Sequence, residues 1–202
     1  MCGRFFLNGD LENVITSFDL INKEDDKKCF DGKEIFPSNT APIIKGDNTL
    51  HFIKWGFTLK NNKNLIINAR SESIEEKYLF KKALKNRCVV PANGFYEWKG
   101  EKGSKIKYKI SLKDEEIFSM AALYDTFIDE KGQTYEAFTI ITTEANEEMS
   151  EIHHRMPVMF KLGEEKVWLA GDENLEEILK PYKNGSLKIV EDSGYEQMSL
   201  LF

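Results

Sequence analysis

The sequence predicts an α+β fold built on a curved, barrel-like, mainly antiparallel β-sheet flanked by short helices. Three observations predict it. Short β-rich runs dominate from residue 50 to 142, helix-patterned stretches do not alternate regularly with them, and turn chemistry such as Asn93-Gly94 and the Gly100 to Gly103 stretch separates several runs. With 202 residues, 41% of them hydrophobic, the chain can bury one substantial core. Residues 1–202 therefore read as a single domain, with 171–202 an acidic C-terminal extension.

The elements follow in order. Behind an N-terminal strand, Leu11, Val14, Ile15 and Phe18 recur at helical spacing after Asp10, a good N-cap, and predict an amphipathic helix. Leu50–Phe57 reads as a strand. Glu75–Lys85 reads as a second helix, announced by Ser73 and Glu76 as a capping box and carrying Leu79, Phe80, Ala83 and Leu84. The runs Arg87–Val90, Phe95–Trp98, Ile106–Ile110, Ile117–Leu123 and Ala137–Thr142 are strands by composition. Helices are expected over Glu144–Ile152 and Glu164–Ala170, with an acidic one near Glu173–Leu179.

Composition narrows the function classes. Cys2, Cys29 and Cys88 are widely spaced without a CxxC pair, so neither a disulfide framework nor a structural zinc site is expected. Cys88 reads as a buried strand residue and His51 as a strand-face position, and no metal or cofactor is expected. No stretch has the length and apolarity of a membrane span and none resembles a signal peptide; a monomer in the cytoplasm, without a membrane partner, is the expectation. A net charge of -6 argues against nucleic acid until its distribution is read. Between Lys81 and Lys113, ten Lys or Arg face only Glu97 and Glu101, a surplus of +8 that leaves -14 for the remainder. That split is compatible with a basic face meeting phosphates, and equally with solvated outward positions of strands and a helix.

The chemistry concentrates at the chain start, Met1-Cys2-Gly3-Arg4-Phe5. Removal of Met1 would leave Cys2 with a free α-amine, unperturbed pKa roughly 7.7–8.0, beside a thiol near 8.5. Such a 1,2-aminothiol condenses with an aldehyde to an imine, and its sulfur then closes a thiazolidine ring. Other polar residues stand where the pattern asks for apolar ones or simple turns. Asn68-Ala69-Arg70 closes the run Leu65-Ile66-Ile67; Glu97 sits inside Phe95-Tyr96-Glu97-Trp98, where burial beside rings equips a carboxyl to shuttle protons; and His153, His154 and Arg155 fall in a turn between a helix and a strand.

Taken together, these stretches resemble the SRAP family, the SOS-response-associated peptidase or abasic-site processing proteins. The carrying motifs are Met-Cys-Gly-Arg-Phe at 1–5, Pro-Ser-Asn-Thr-Ala-Pro at 37–42, Trp-Gly-Phe at 55–57, Asn-Ala-Arg-Ser-Glu at 68–72, Arg-Cys-Val-Val-Pro-Ala-Asn-Gly-Phe-Tyr-Glu-Trp at 87–98 and Ile-His-His-Arg-Met-Pro at 152–157. The resemblance runs from residue 2 to about 170. It implies covalent capture of abasic sites in single-stranded DNA through Cys2. Glu97 would handle protons, Asn68 would position the N-terminus and the sugar, and His153 would act as acid–base partner. Arg4 and Arg70 would clamp flanking phosphates and favour the thiolate; Trp55, with Phe57, would hold bases; and Asn39 and Pro42 would line the same groove. The family name also suggests a peptidase activity that removes Met1, and an imine intermediate suggests lyase-type strand cleavage.

Two other classes fit parts of the chain. N-terminal-nucleophile glutamine amidotransferases also begin Met-Cys-Gly and use the thiol with its own amine as base. A non-catalytic single-stranded nucleic-acid binding module would use the basic segment and Trp55 alone. The amidotransferase reading leaves the downstream Glu-Trp and His-Arg-Met-Pro motifs unexplained, and the binding-module reading predicts salt-sensitive binding that does not distinguish abasic from intact strands.

Overall fold

The computed structural model describes residues 2–9, 11–21, 34–59, 62–101, 104–171 and 174–192. Cys29 and the expected turn, cap and helix-start positions Gly103, Asp10 and Glu173 lie outside them. The described elements run β1 (Phe5–Phe6), α1 (Leu11–Ser17), β2 (Glu34–Ile35), β3 (Thr40–Lys45), β4 (Leu50–Trp55), β5 (Phe57–Leu59), β6 (Asn62–Ile66), β7 (Asn68–Arg70), α2 (Tyr78–Ala83), β8 (Arg87–Ala92), β9 (Gly94–Lys99) and β10 (Ile106–Leu112). They continue with β11 (Phe118–Ile128), β12 (Thr134–Glu144), α3 (Glu147–Ser150), β13 (Arg155–Pro157), β14 (Met159–Phe160), α4 (Glu165–Ala170), α5 (Leu175–Ile178) and β15 (Leu187–Glu191).

Five strands close on themselves. β12 pairs β4, β4 pairs β3, β3 pairs β8, β8 pairs β11 and β11 returns to β12, which makes a five-stranded barrel in which only the β12–β4 contact is parallel. Closure removes the edges that a sheet otherwise exposes. β7 and β13 extend β12, and β14 extends β11. A second, open antiparallel sheet has the order β15-β10-β9-β1-β2 and carries the chain start in its middle. The apolar interior contains Phe5, Trp55, Phe57, Phe95, Phe118, Phe138 and Trp168, all fully buried.

Several boundaries differ from those read in the sequence, each for a local reason. The run Leu50–Phe57 is two strands, because Gly56 turns the backbone at φ +117°, a conformation L side chains rarely adopt. The second helix begins at Tyr78, after a 3-10 turn over Ser71–Ser73, and Lys77 at its N-cap makes no side-chain cap bond. The Ser73 hydroxyl is buried without a partner, so the predicted capping box does not form. The predicted helix from Glu144 is a single turn, α3, because β12 runs through Glu144 and Asn146 then caps Met149 N at 2.9 Å. β11 and β12 extend past their apolar stretches to close a long hairpin at Ile128 and Thr134. Residues beyond 171 join the fold: β15 pairs β10 from Tyr108↔Glu191 to Leu112↔Leu187.

Candidate active site

β1 places the chain start against β9. The register Phe5↔Phe95 and Phe6↔Gly94 continues through Tyr96 N donating to the Arg4 carbonyl at 2.8 Å, which carries Gly3 and Cys2 alongside Glu97 and Trp98. Gly94 makes the close approach possible, since a Cβ there would fall on the Ile110 carbonyl oxygen and the Phe6 ring. From the other side β7, held in parallel register on β12 by Asn68↔Ile140, brings Asn68 to the same point. Asn68 Nδ2 donates to the Cys2 carbonyl at 2.9 Å, while its Oδ1 is buried without a hydrogen-bond partner. A buried amide oxygen left unpaired costs about 1–3 kcal/mol.

Cys2 is 0% exposed. Burial first, and the negative charge of Glu97 second, push its thiol up to about 12; the chain-start amine and, less, the Arg4 main-chain N–H pull the other way. This reverses the sequence expectation that arginines would favour the thiolate: in the chain carrying Met1 the sulfur is a protonated, desolvated thiol. Glu97 is 4% exposed on β9. His153 follows α3 and is half-buried; its ring stacks on His154 with centroids 4.3 Å apart. Burial lowers its pKa, the Glu97 charge opposes that shift, and His154 adds to it. The Glu97 charge thus acts on both Cys2 and His153. Arg4, Glu97, Trp98, Lys105, His153 and Gly3 line an open pocket of about 490 Å³ beside them.

The other expected contact residues divide. Arg4 lies in the pocket, its guanidinium 4.2 Å from the Phe36 ring centroid and 5.1 Å from that of Trp98, paired with Glu34 at 3.1 Å. Arg70 is exposed at the end of β7. Asn39 is exposed, and its Oδ1 accepts from Phe36 N at 3.0 Å, closing the turn that presents Phe36 to Arg4. Trp55 does not serve as a stacking platform. It is fully buried, donates Nε1 to the Ile67 carbonyl at 3.0 Å and packs edge-on against Phe5 and parallel to Phe138. Phe57 is equally buried. Pro42 is buried within β3 and paired with Phe52, so it lines no open groove.

The basic segment disperses over the surface. Lys82 pairs with Asp125, Lys99 with Glu151, Lys107 with Glu34 and Asp192, and Lys113 with Glu148, while Lys105 lies at the pocket rim. Among the described residues no group of three or more His, Cys, Asp or Glu could hold a metal ion, and no helix is long and apolar enough to cross a membrane.

Sequence reasoning assigned no role to Trp98, Lys105 or the Glu72–Arg155 pair. Arg155 read as a turn residue but is 7% exposed and forked onto Glu72 at 2.7 and 2.9 Å, with a third bond to the Thr142 carbonyl at 2.6 Å. Burial is the largest single influence and raises the Glu72 pKa, but the Arg155 hydrogen bonds and charge, the Glu72 main-chain N–H and the Ser71 hydroxyl together hold the carboxyl below its usual range. This pair ties the Asn-Ala-Arg-Ser-Glu motif to the Ile-His-His-Arg-Met-Pro motif. The signal available was the presence of one acid and one arginine in two separate motifs.

The chain has relatives among known proteins. A family model described as SOS response associated peptidase (SRAP) matches residues 1–193. The abasic site processing protein YoaM of Bacillus subtilis is 36% identical over 196 residues, covering 90% of this chain and 86% of the relative. An abasic site processing protein of Saccharomyces cerevisiae is 30% identical over 224 residues, covering 90% of this chain and 60% of its own. A crystal structure of a protein from Bacteroides thetaiotaomicron superposes with a TM-score of 0.84 at 28% identity, covering 94% of this chain and 91% of the other.

Proposed function

From the premise that the chain belongs to the SRAP family, matched over residues 1–193, we propose that it acts on abasic sites in DNA and captures them covalently through Cys2 once Met1 has been removed. One observation carries the reading: the second residue of the chain is a buried cysteine, pinned through its carbonyl by Asn68, beside a carboxyl and an open pocket lined by Arg4 and His153. A frayed terminus would not be held this way.

The protonation pattern supports an order of events. An abasic deoxyribose is mostly a closed hemiacetal, and opening it moves the proton of the C1′ hydroxyl to the ring oxygen. Glu97, buried and next to Cys2, is suited to carry that proton, with His153 across the pocket assisting. The freed α-amine, neutral in useful fraction near pH 7, attacks the aldehyde first, and water leaves to give an imine. The thiol then adds across the C=N bond: sulfur bonds to C1′ and its proton goes to nitrogen, closing the thiazolidine. Proton transfers of this kind contribute about 10²–10⁴-fold each. Arg4 and the exposed Arg70 are placed to meet backbone phosphates, and a lesion in single-stranded DNA reaches a buried cysteine without the cost of unpairing a duplex. Asn39 acts at one remove, bracing the turn whose Phe36 ring packs against Arg4.

Mass spectrometry of the protein mixed with an abasic single-stranded oligonucleotide tests the reading. The expected product lacks Met1 and carries the DNA on its N-terminal peptide. Failure of the protein without Met1 to gain mass on that peptide overturns covalent capture. An extra residue left ahead of Cys2 turns the amine into an amide and should abolish the adduct.

A further inference from the structure

We propose that His153 works as a neutral imidazole donating from Nε2 to the sugar ring oxygen as it leaves C1′. In this proposal the Arg155 main-chain amide sets the tautomer, the Glu72–Arg155 ion pair holds that amide in place, and Glu97 alone moves the proton. The proposal rests on the capture reading above and narrows the part His153 plays in it.

The geometry begins with one hydrogen bond. Arg155 N donates to His153 Nδ1 at 3.0 Å. An N–H pointing at Nδ1 requires a lone pair there, so the neutral ring carries its hydrogen on Nε2. Protonating Nδ1 would set one N–H against another and break the bond.

The amide has little freedom to move away. The Arg155 side chain is fixed by two bonds to Glu72 and one to the Thr142 carbonyl, its residue pairs with Glu144 in the β12–β13 ladder, and the His154 carbonyl accepts from Ala145 N at 3.1 Å. Glu72 and Arg155 are therefore positioning residues, acting on the ring through the main chain between them.

The charged and titratable groups that act on His153 are Glu97 from β9, the chain-start amine and the stacked His154. Glu97 pulls toward the imidazolium, and burial, the larger influence, keeps the pKa below the ordinary histidine value. A neutral ring in this position cannot pick up a proton at Nδ1, and giving one up from Nε2 would make an imidazolate. Its available chemistry is donation of a hydrogen bond to developing negative charge, as in enzymes whose histidine polarises an oxygen without titrating. The proton balance closes without it. Glu97 takes the hydrogen of the C1′ hydroxyl as the C1′–ring-oxygen bond breaks and returns it to that oxygen, leaving an aldehyde and a hydroxyl.

Two measurements on the full chain test this. Nitrogen-15 NMR of the imidazoles in the absence of DNA should show His153 with a protonated Nε2 and a bare Nδ1, unchanged between pH 6 and 8. A ring that titrates at or above the ordinary histidine value of about 6.5 overturns the proposal. In single-turnover capture of an abasic oligonucleotide, His153→Ala should lose about 10²–10³-fold, the usual cost of removing one donor to an oxyanion. His153→Gln, which keeps an N–H but cannot titrate, should stay within about tenfold of wild type with the same pH profile. Equal loss in both variants overturns the donor role. Glu72→Gln should mix the two tautomers in the spectrum and slow capture while leaving affinity for intact DNA unchanged; a pure Nε2–H spectrum in that variant removes Glu72 from the argument. An inert wild-type protein would overturn covalent capture instead, and the spectrum would still decide the state of His153.

Discussion

At Cys2 the two nucleophiles can be separated by one atom. Cys2→Ser keeps the amine and loses the sulfur, so borohydride should still trap an imine with abasic DNA while the heat-stable adduct disappears; absence of any trapped species would mean that sulfur attacks first. Glu97 acts on the same residue in two ways, as proton carrier and as the charge that raises the thiol pKa. Glu97→Gln should slow capture by about 10²–10⁴-fold with little change in DNA affinity. It should also move alkylation of Cys2 to lower pH, because removing a like charge favours the thiolate. An unchanged alkylation profile would place Glu97 too far away to matter. Cys2 was legible in the sequence because position two alone makes an aminothiol, and Glu97 because a carboxyl between aromatic residues is conspicuous. Trp55 and Pro42 were misread for a general reason: residue type does not tell which face of a strand meets solvent. Arg155 was misread because its partner, Glu72, lies 83 residues away in sequence.

At the scale of the elements, Trp55 sits where β4, β7 and β12 meet, and its contribution is to stability. Trp55→Phe should leave the Ile67 carbonyl without its Nε1 donor and create a small void, costing about 1–3 kcal/mol in urea unfolding with affinity for DNA unchanged. Selective loss of DNA binding at full stability would restore the stacking role. The strand runs were readable because β-branched and aromatic residues cluster between turns, and the short helices because their apolar positions recur at helical spacing. Break points were not readable. The split at Gly56 depends on a backbone angle, and the late start of α2 depends on a 3-10 turn that leaves Ser73 unable to cap. β15 escaped notice because Lys188, Val190 and Glu191 alternate poorly and the strand is made by the β10 edge it completes.

The whole molecule places two thiols in desolvated interiors, Cys2 next to the open sheet and Cys88 on the barrel strand β8, both 0% exposed. Burial raises both pKa values, that of Cys2 to about 12 and that of Cys88 higher still. An unfolded thiol ionises near 8.5, so above that pH the unfolded chain has released protons that the folded chain still holds. The stability these thiols contribute is complete below pH 8.5 and is lost as pH rises toward the folded values. Each should remove about 1.4 kcal/mol of unfolding free energy per pH unit within that window. Urea unfolding measured from pH 8.5 to about 9.5, short of the midpoints of ordinary tyrosines and lysines, should therefore show a falling midpoint. Cys88→Ala should start lower at pH 7, since it opens a cavity in the barrel, yet lose stability with roughly half the slope. Parallel slopes in the two proteins would mean that water reaches Cys88 and that the five-stranded ring is not closed around it.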